Sequence, residues 1–125
     1  MARAKKAEAY DKTHKIMKLH LVITIVDRGV GWSAIYLIQK HDVPSHFIQR
    51  GEGTATKDIV DLLALKDTDK DVIYSMVPDN KLDDVMKDLD GFLTQGKRRA
   101  GISFAIPFES IAGRTAYHFM TLTTE

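Results

Sequence analysis

Ile16-Met17-Lys18-Leu19-His20-Leu21-Val22-Ile23-Thr24-Ile25-Val26-Asp27 is the stretch that decides the fold. Met17, Leu19, Leu21, Ile23 and Ile25 recur at every second position, the period of a strand with one face packed on a core. The other face carries Ile16, Lys18, His20, Val22, Thr24 and Val26. It is too apolar for open water and too polar for the interior of a monomer, so it is expected to meet another subunit.

Outward from this strand, turn and helix signals alternate. Gly29-Val30-Gly31 breaks the strand, and a helix is predicted from about Trp32 to His41 with Ala34, Ile35, Leu37 and Ile38 inward. Pro44 closes it, and Phe47 to Arg50 reads as a second strand. Residues 51–55 form a turn. Residues 56–65 suggest a short helix, because Ile59, Leu62 and Leu63 are spaced three and four apart. Asp67 to Asp71 reads as a charged turn, followed by a third strand from Val72 to Val77. Pro78-Asp79-Asn80 opens a second helix, with an Asx cap on offer. Its buried stripe is Leu82, Val85, Met86, Leu89 and Leu93, and Gly91 weakens its last turn. Ile102 to Pro107 is the fourth strand, and residues 108–125 are a tail with a strand-like end at Tyr117 to Thr123.

The order β-α-β-(short α)-β-α-β places two helices on one face of a four-stranded antiparallel sheet. The expected class is α+β, a ferredoxin-like βαββαβ sandwich. Its second sheet face stays bare unless other copies cover it, which favours an oligomer. The 125 residues suit one domain, and we divide the chain into a basic appendage at 1–15 and a domain at 16–125. Residues 1–18 carry six Lys/Arg against two acids, whereas residues 79–90 carry five Asp against two Lys, so the charge is uneven. The net charge of only +1 gives no general attraction to nucleic acid, and no nucleic-acid partner is expected.

The chain has no cysteine, which removes thiolate catalysis, disulfides and Cys-based zinc sites. The longest apolar stretch, Leu21 to Val26 with Thr24 inside it, is far below the roughly 20 residues that a membrane helix needs. No membrane insertion is expected, and the chain reads as cytoplasmic. His41 and His46 flank Pro44 and could share a metal, but no third ligand is evident. Gly101-Ile102-Ser103-Phe104-Ala105 leads into a strand rather than from strand to helix, so it is not a nucleophile elbow. Gly96-Lys97-Arg98 lacks the spacing and hydroxyl residue of a P-loop. With no nucleophile, metal set or acid–base pair, the chain is not expected to be an enzyme.

Two segments remain: Arg50-Gly51-Glu52-Gly53-Thr54-Ala55, and Gly101-Ile102-Ser103-Phe104-Ala105-Ile106-Pro107 after the cations Lys97, Arg98 and Arg99. Glycine turns expose backbone N–H groups, and together with a basic loop they can hold an anion. Separately, Gly51 and Gly53 can serve only to permit positive φ in a turn, and the basic run can be a solvated surface.

These segments, together with Ile23-Thr24-Ile25-Val26-Asp27-Arg28-Gly29, Leu62-Leu63-Ala64-Leu65 and the later Gly113, carry a resemblance. Over roughly residues 17–113 the chain resembles the PII family of nitrogen-regulatory signal proteins, and more closely its shorter-loop, atypical branch. The resemblance implies a cytoplasmic homotrimer with the sheets facing the centre. It implies an adenine nucleotide between subunits and regulation of a partner, a transporter or an enzyme, in nitrogen utilisation. By position, Gly51 and Gly53 would lie beside the base or ribose. Gly101 with Lys97, Arg98 or Arg99 would lie near the phosphates, and Arg114 would reach the nucleotide from the C-terminal side. The family's phosphate loop continues as Asp-Gly-Lys where this chain has Ala100-Gly101-Ile102, so a neighbouring cation would have to replace the lysine. The segment 52–66 has no tyrosine to accept the family's tyrosine modification. The alternative is a ligand-free or metal-binding ferredoxin-like trimer of the metal-tolerance type.

Overall fold

The computed structural model describes residues 17–52, 69–94 and 101–122. Strand β1 (Leu19–Asp27) leads through a short turn into helix α1 (Gly31–Gln39), followed by β2 (His46–Glu52), β3 (Asp69–Pro78), α2 (Asp79–Thr94), β4 (Gly101–Pro107) and α3 (Arg114–Thr121). The four strands form one sheet in the order β2-β3-β1-β4. Every neighbouring pair is antiparallel. The result is an α+β chain with a four-stranded antiparallel sheet and three helices among the described residues, compatible with a small ferredoxin-like fold.

Helices α1 and α2 pack on the same sheet face. Ala34, Ile35 and Ile38 of α1 and Val85, Leu89 and Leu93 of α2 are buried there. The strand positions beneath them are Val22, Thr24 and Val26, each fully buried. This reverses the expected facing of β1. Val22, Thr24 and Val26 belong to the core, and Leu21, Ile23 and Ile25, half-buried, look out from the other face. Both sides of this strand are apolar, so its period of two located the faces without telling which one the helices cover.

The core has two apolar parts. Val22, Ile38, Val43, Val77, Val85 and Leu89 form one, and Val26, Ala34, Ile35, Ile73 and Leu93 form the other. Between Val22 and Val26 sits Thr24, whose hydroxyl is 3.0 Å from the Ser103 hydroxyl across the β1–β4 pair.

Of the charged segment expected as a turn, residues 69–71 are strand instead, and residues 67 and 68 lie outside the described residues. Asp69, Lys70 and Asp71 pair with Glu52, Gly51 and Arg50 of β2, so β3 begins earlier than its apolar run. Lys70 and Asp71 are buried in spite of their charge. Each has a partner for that charge: the Lys70 ammonium is 3.0 Å from Asp27, and Asp71 accepts two backbone N–H bonds.

The tail also departs from expectation. Tyr117 to Thr121 belong to a helix rather than a strand. Gly113, with φ of 103°, turns the chain into α3, and its carbonyl accepts the Tyr117 N–H at 2.9 Å. The β-propensity of Tyr, Phe and Thr gives way to tertiary anchoring. The Tyr117 hydroxyl accepts the Met17 N–H at 2.7 Å and donates to the Met17 carbonyl at 2.9 Å. Helix α3 also packs against β3. Leu19 and Met76 are buried although they point away from α1 and α2. Helix α2 runs through Gly91 to Thr94. The expected helix at 56–65 and the basic appendage at 1–15 lie outside the described residues.

Candidate functional site

Three of the seven candidate residues, Gly51, Gly101 and Arg114, fall among the described residues. Gly53, Lys97, Arg98 and Arg99 lie outside them.

Gly51 is in β2 and pairs with Lys70, which in turn pairs with Asp27. Gly101 opens β4 opposite Val26. The two glycines therefore mark the same end of the sheet, separated by β3 and β1. Three inter-strand steps put them about 14 Å apart. A ligand of nucleotide length could span that gap, whereas a single phosphate could not touch both.

The glycines differ in what they do. Gly101 has φ of 143°, and a side chain there would run into the Ile25 carbonyl. The close approach of β4 to β1 demands glycine at that position. Gly51 has no such constraint, since a Cβ would meet only Val72 at an ordinary 3.8 Å. It is also a strand residue rather than a turn residue, which corrects the expectation that it serves a Gly-x-Gly turn.

Between them lies a charged row that sequence reasoning did not find. Strand alternation puts Gly51, Lys70 and Asp27 on the sheet face opposite α1 and α2. The Lys70–Asp27 pair is almost fully enclosed, with side chains 7% and 14% exposed. At the rim, Arg28 is 3.4 Å from Asp69. The available signal was the Asp-Lys-Asp run at 69–71, which looked like solvated turn chemistry.

Arg114 belongs to the other end of the molecule. It lies one turn before Tyr117, and Tyr117 is bonded to Met17, ahead of β1. About 30 Å of strand separates Met17 from Val26, the partner of Gly101, at ~3.3 Å per residue. One copy of the chain thus does not bring Arg114 to Gly51 and Gly101.

The histidines are engaged separately. His41 Nε2 is 2.6 Å from Asp88, His20 Nε2 is 2.9 Å from Asp79, and His46 lies between Ser75 and Val43. His41 and His46 do not share a site. Among the described residues no group of three His, Cys, Asp or Glu side chains is placed to hold a metal. The Val43 carbonyl can only accept, so His46 Nε2 carries the proton and neutral Nδ1 accepts from the Ser75 hydroxyl. Burial lowers the His46 pKa below its ordinary 6.5, against a smaller opposing effect of the Val43 bond.

Beyond Lys70–Asp27, the sheet face away from α1 and α2 is largely apolar, with Gln49 accepting the Tyr74 hydroxyl at 3.3 Å as a polar exception. Ile102, Phe104 and Ile106 of β4 and Phe47 of β2 are exposed there, the last at 63%. No helix among the described residues is long and apolar enough to cross a membrane. No protein-family model matches the chain, and no curated protein matches its sequence.

Proposed function

We propose that the chain is a PII-like regulatory protein. In this reading it assembles as a homotrimer through its open sheet face, binds a small anionic ligand between subunits and controls a partner protein. An adenine nucleotide is the leading candidate ligand, and a transporter or an enzyme of nitrogen utilisation is the candidate partner. The protein acts by binding, not by catalysis.

The observation that carries the reading is the separation of the candidate residues. Gly51 and Gly101 stand at one end of the sheet and Arg114 at the other. In a cyclic trimer each copy uses two different patches, so opposite ends of neighbouring copies can meet. A ligand between subunits is then the arrangement in which all three residues contribute. The exposed apolar row Ile102, Phe104 and Ile106 supports assembly, since a contiguous apolar patch on a soluble chain marks an interaction surface. A population shift follows naturally, because a ligand spanning two copies favours whichever arrangement presents both halves of its site.

Two measurements test the proposal together. Light scattering at micromolar concentration is expected to give the mass of three chains. Calorimetry with ATP, ADP, AMP and cyclic nucleotides is expected to give saturable binding for at least one. A monomeric mass sinks the assembly, and absence of binding to all of these sinks the nucleotide reading.

A further inference from the structure

The first three residues of β3 grip the β1–α1 turn from both faces of the sheet. On the face beneath α1, the Asp71 carboxylate accepts the Gly29 N–H at 2.9 Å and the Gly31 N–H at 3.1 Å through the same oxygen. On the opposite face, Lys70 holds Asp27 at 3.0 Å. At the rim, Asp69 holds Arg28 twice: its carbonyl accepts the Arg28 N–H at 3.2 Å, and its carboxylate faces the guanidinium at 3.4 Å. Gly31 is fitted so closely that a Cβ would lie 2.8 Å from the Asp71 Cβ and 2.9 Å from Ile48.

We propose that this clasp couples the two faces of the sheet, with Asp71 as the positioning residue that passes a change at the Lys70–Asp27 pair to the start of α1. Two of its charges, on Lys70 and Asp71, are buried, where an ion without its partner is costly. The turn is only residues 28–30, so Asp27 and Gly29 cannot move independently. Displacing Asp27 on the face away from α1 shifts the N–H groups that Asp71 holds on the other. Gly31 leads directly into Trp32, which is 66% exposed on the outer side of α1 and is the chain's one tryptophan. The coupling joins two faces of one chain and is tested without ligand.

The test replaces the enclosed ion pair on the face away from α1 and reads the helix face. Asp27→Leu combined with Lys70→Met removes both charges together, the substitution that buried pairs tolerate best. Amide hydrogen exchange at Gly29 and Gly31 is expected to rise about ten-fold or more, since a bond to a carboxylate is among the stronger ones lost. Exchange at Val85 and Leu89 in α2 is expected to stay unchanged, and Trp32 emission to shift. Exchange at Gly29 and Gly31 that simply tracks Val85 and Leu89 overturns the coupling. The half-exposed rim residue offers a second, milder variant, Arg28→Ala, expected to raise exchange at Gly29 and Gly31 about two- to three-fold. No change there, in a variant whose fold is intact, also overturns it.

Discussion

Gly101 runs backbone to backbone against Ile25, so closely that no side chain fits between the start of β4 and the Ile25 carbonyl. Its φ of 143° is a conformation that residues with a side chain rarely adopt. Gly101→Ala is therefore expected to destabilise the chain by at least about 3 kcal/mol, the range of a clash combined with backbone strain. Urea denaturation of the variant measures it, and a midpoint equal to that of the parent chain would contradict the contact. Gly51→Ala, where the space is ordinary, is expected to leave the midpoint nearly unchanged.

The two faces of β1 and β4 give opposite mutants. Val22→Asp places an unpaired charge under α1 and α2 and is expected to unfold the chain. Phe104→Asp places the charge on the open face and is expected to preserve the circular-dichroism spectrum while reducing the mass in light scattering. An unaltered mass would remove this face from the proposed trimer contact.

His46 sets a sign for the pH dependence. Burial lowers its folded-state pKa below 6.5, so in the window between that lowered value and 6.5 the unfolded chain binds more protons than the folded one. Its contribution to stability is present above pH 6.5 and is lost as pH falls through the window. Urea midpoints at pH 7.5 and 5.5 are expected to differ less in His46→Gln than in the parent chain. An equal difference in both would remove His46 as a contributor.

Tyr117 ties α3 to the chain ahead of β1. Tyr117→Phe deletes both bonds to Met17 and leaves that N–H without this partner, a loss of about 1–3 kcal/mol. Faster amide exchange across residues 114–121, ahead of the rest of the chain, is the expected signature. Uniform protection would place the anchorage of α3 elsewhere.

The proposed ligand site makes a further demand. Arg114→Ala, and separately Arg98→Ala with Arg99→Ala, are each expected to weaken nucleotide affinity in calorimetry by up to a few kcal/mol, at about 1.5–3 kcal/mol per charged bond. If both variants bind as tightly as the parent chain, the anion is held by other residues.

The sequence makes some of this legible and hides the rest for definable reasons. The stripe Val85, Leu89 and Leu93 was readable because α2 has apolar residues on one side and aspartates on the other. Strand β1 was readable as a strand, but its facing was not, because Leu21, Ile23 and Ile25 are as apolar as Val22 and Val26. The start of β3 was missed because Asp69, Lys70 and Asp71 look solvated until their partners, 40 or more positions away, are known. Helix α3 was missed because Tyr117, Phe119 and Thr121 alternate as a strand would, while their anchor at Met17 is remote in sequence. At the candidate site, glycine and cation positions could be named, but whether Gly51 and Arg114 meet depends on sheet topology, which spacing along a chain does not encode.

The hydroxyl pair of Thr24 and Ser103 divides the ground on which the two ends of the sheet stand. Val26 and Ile73 root the Gly51–Gly101 end in one apolar pocket of packing, and Val22 and Val77 root the far end in another. Core changes more than about 7–10 Å apart usually act additively, so repacking under one end need not disturb the other. If the two ends serve different neighbours in an assembly, each half of a shared binding cleft can drift in sequence on its own foundation, without the other half having to be refitted.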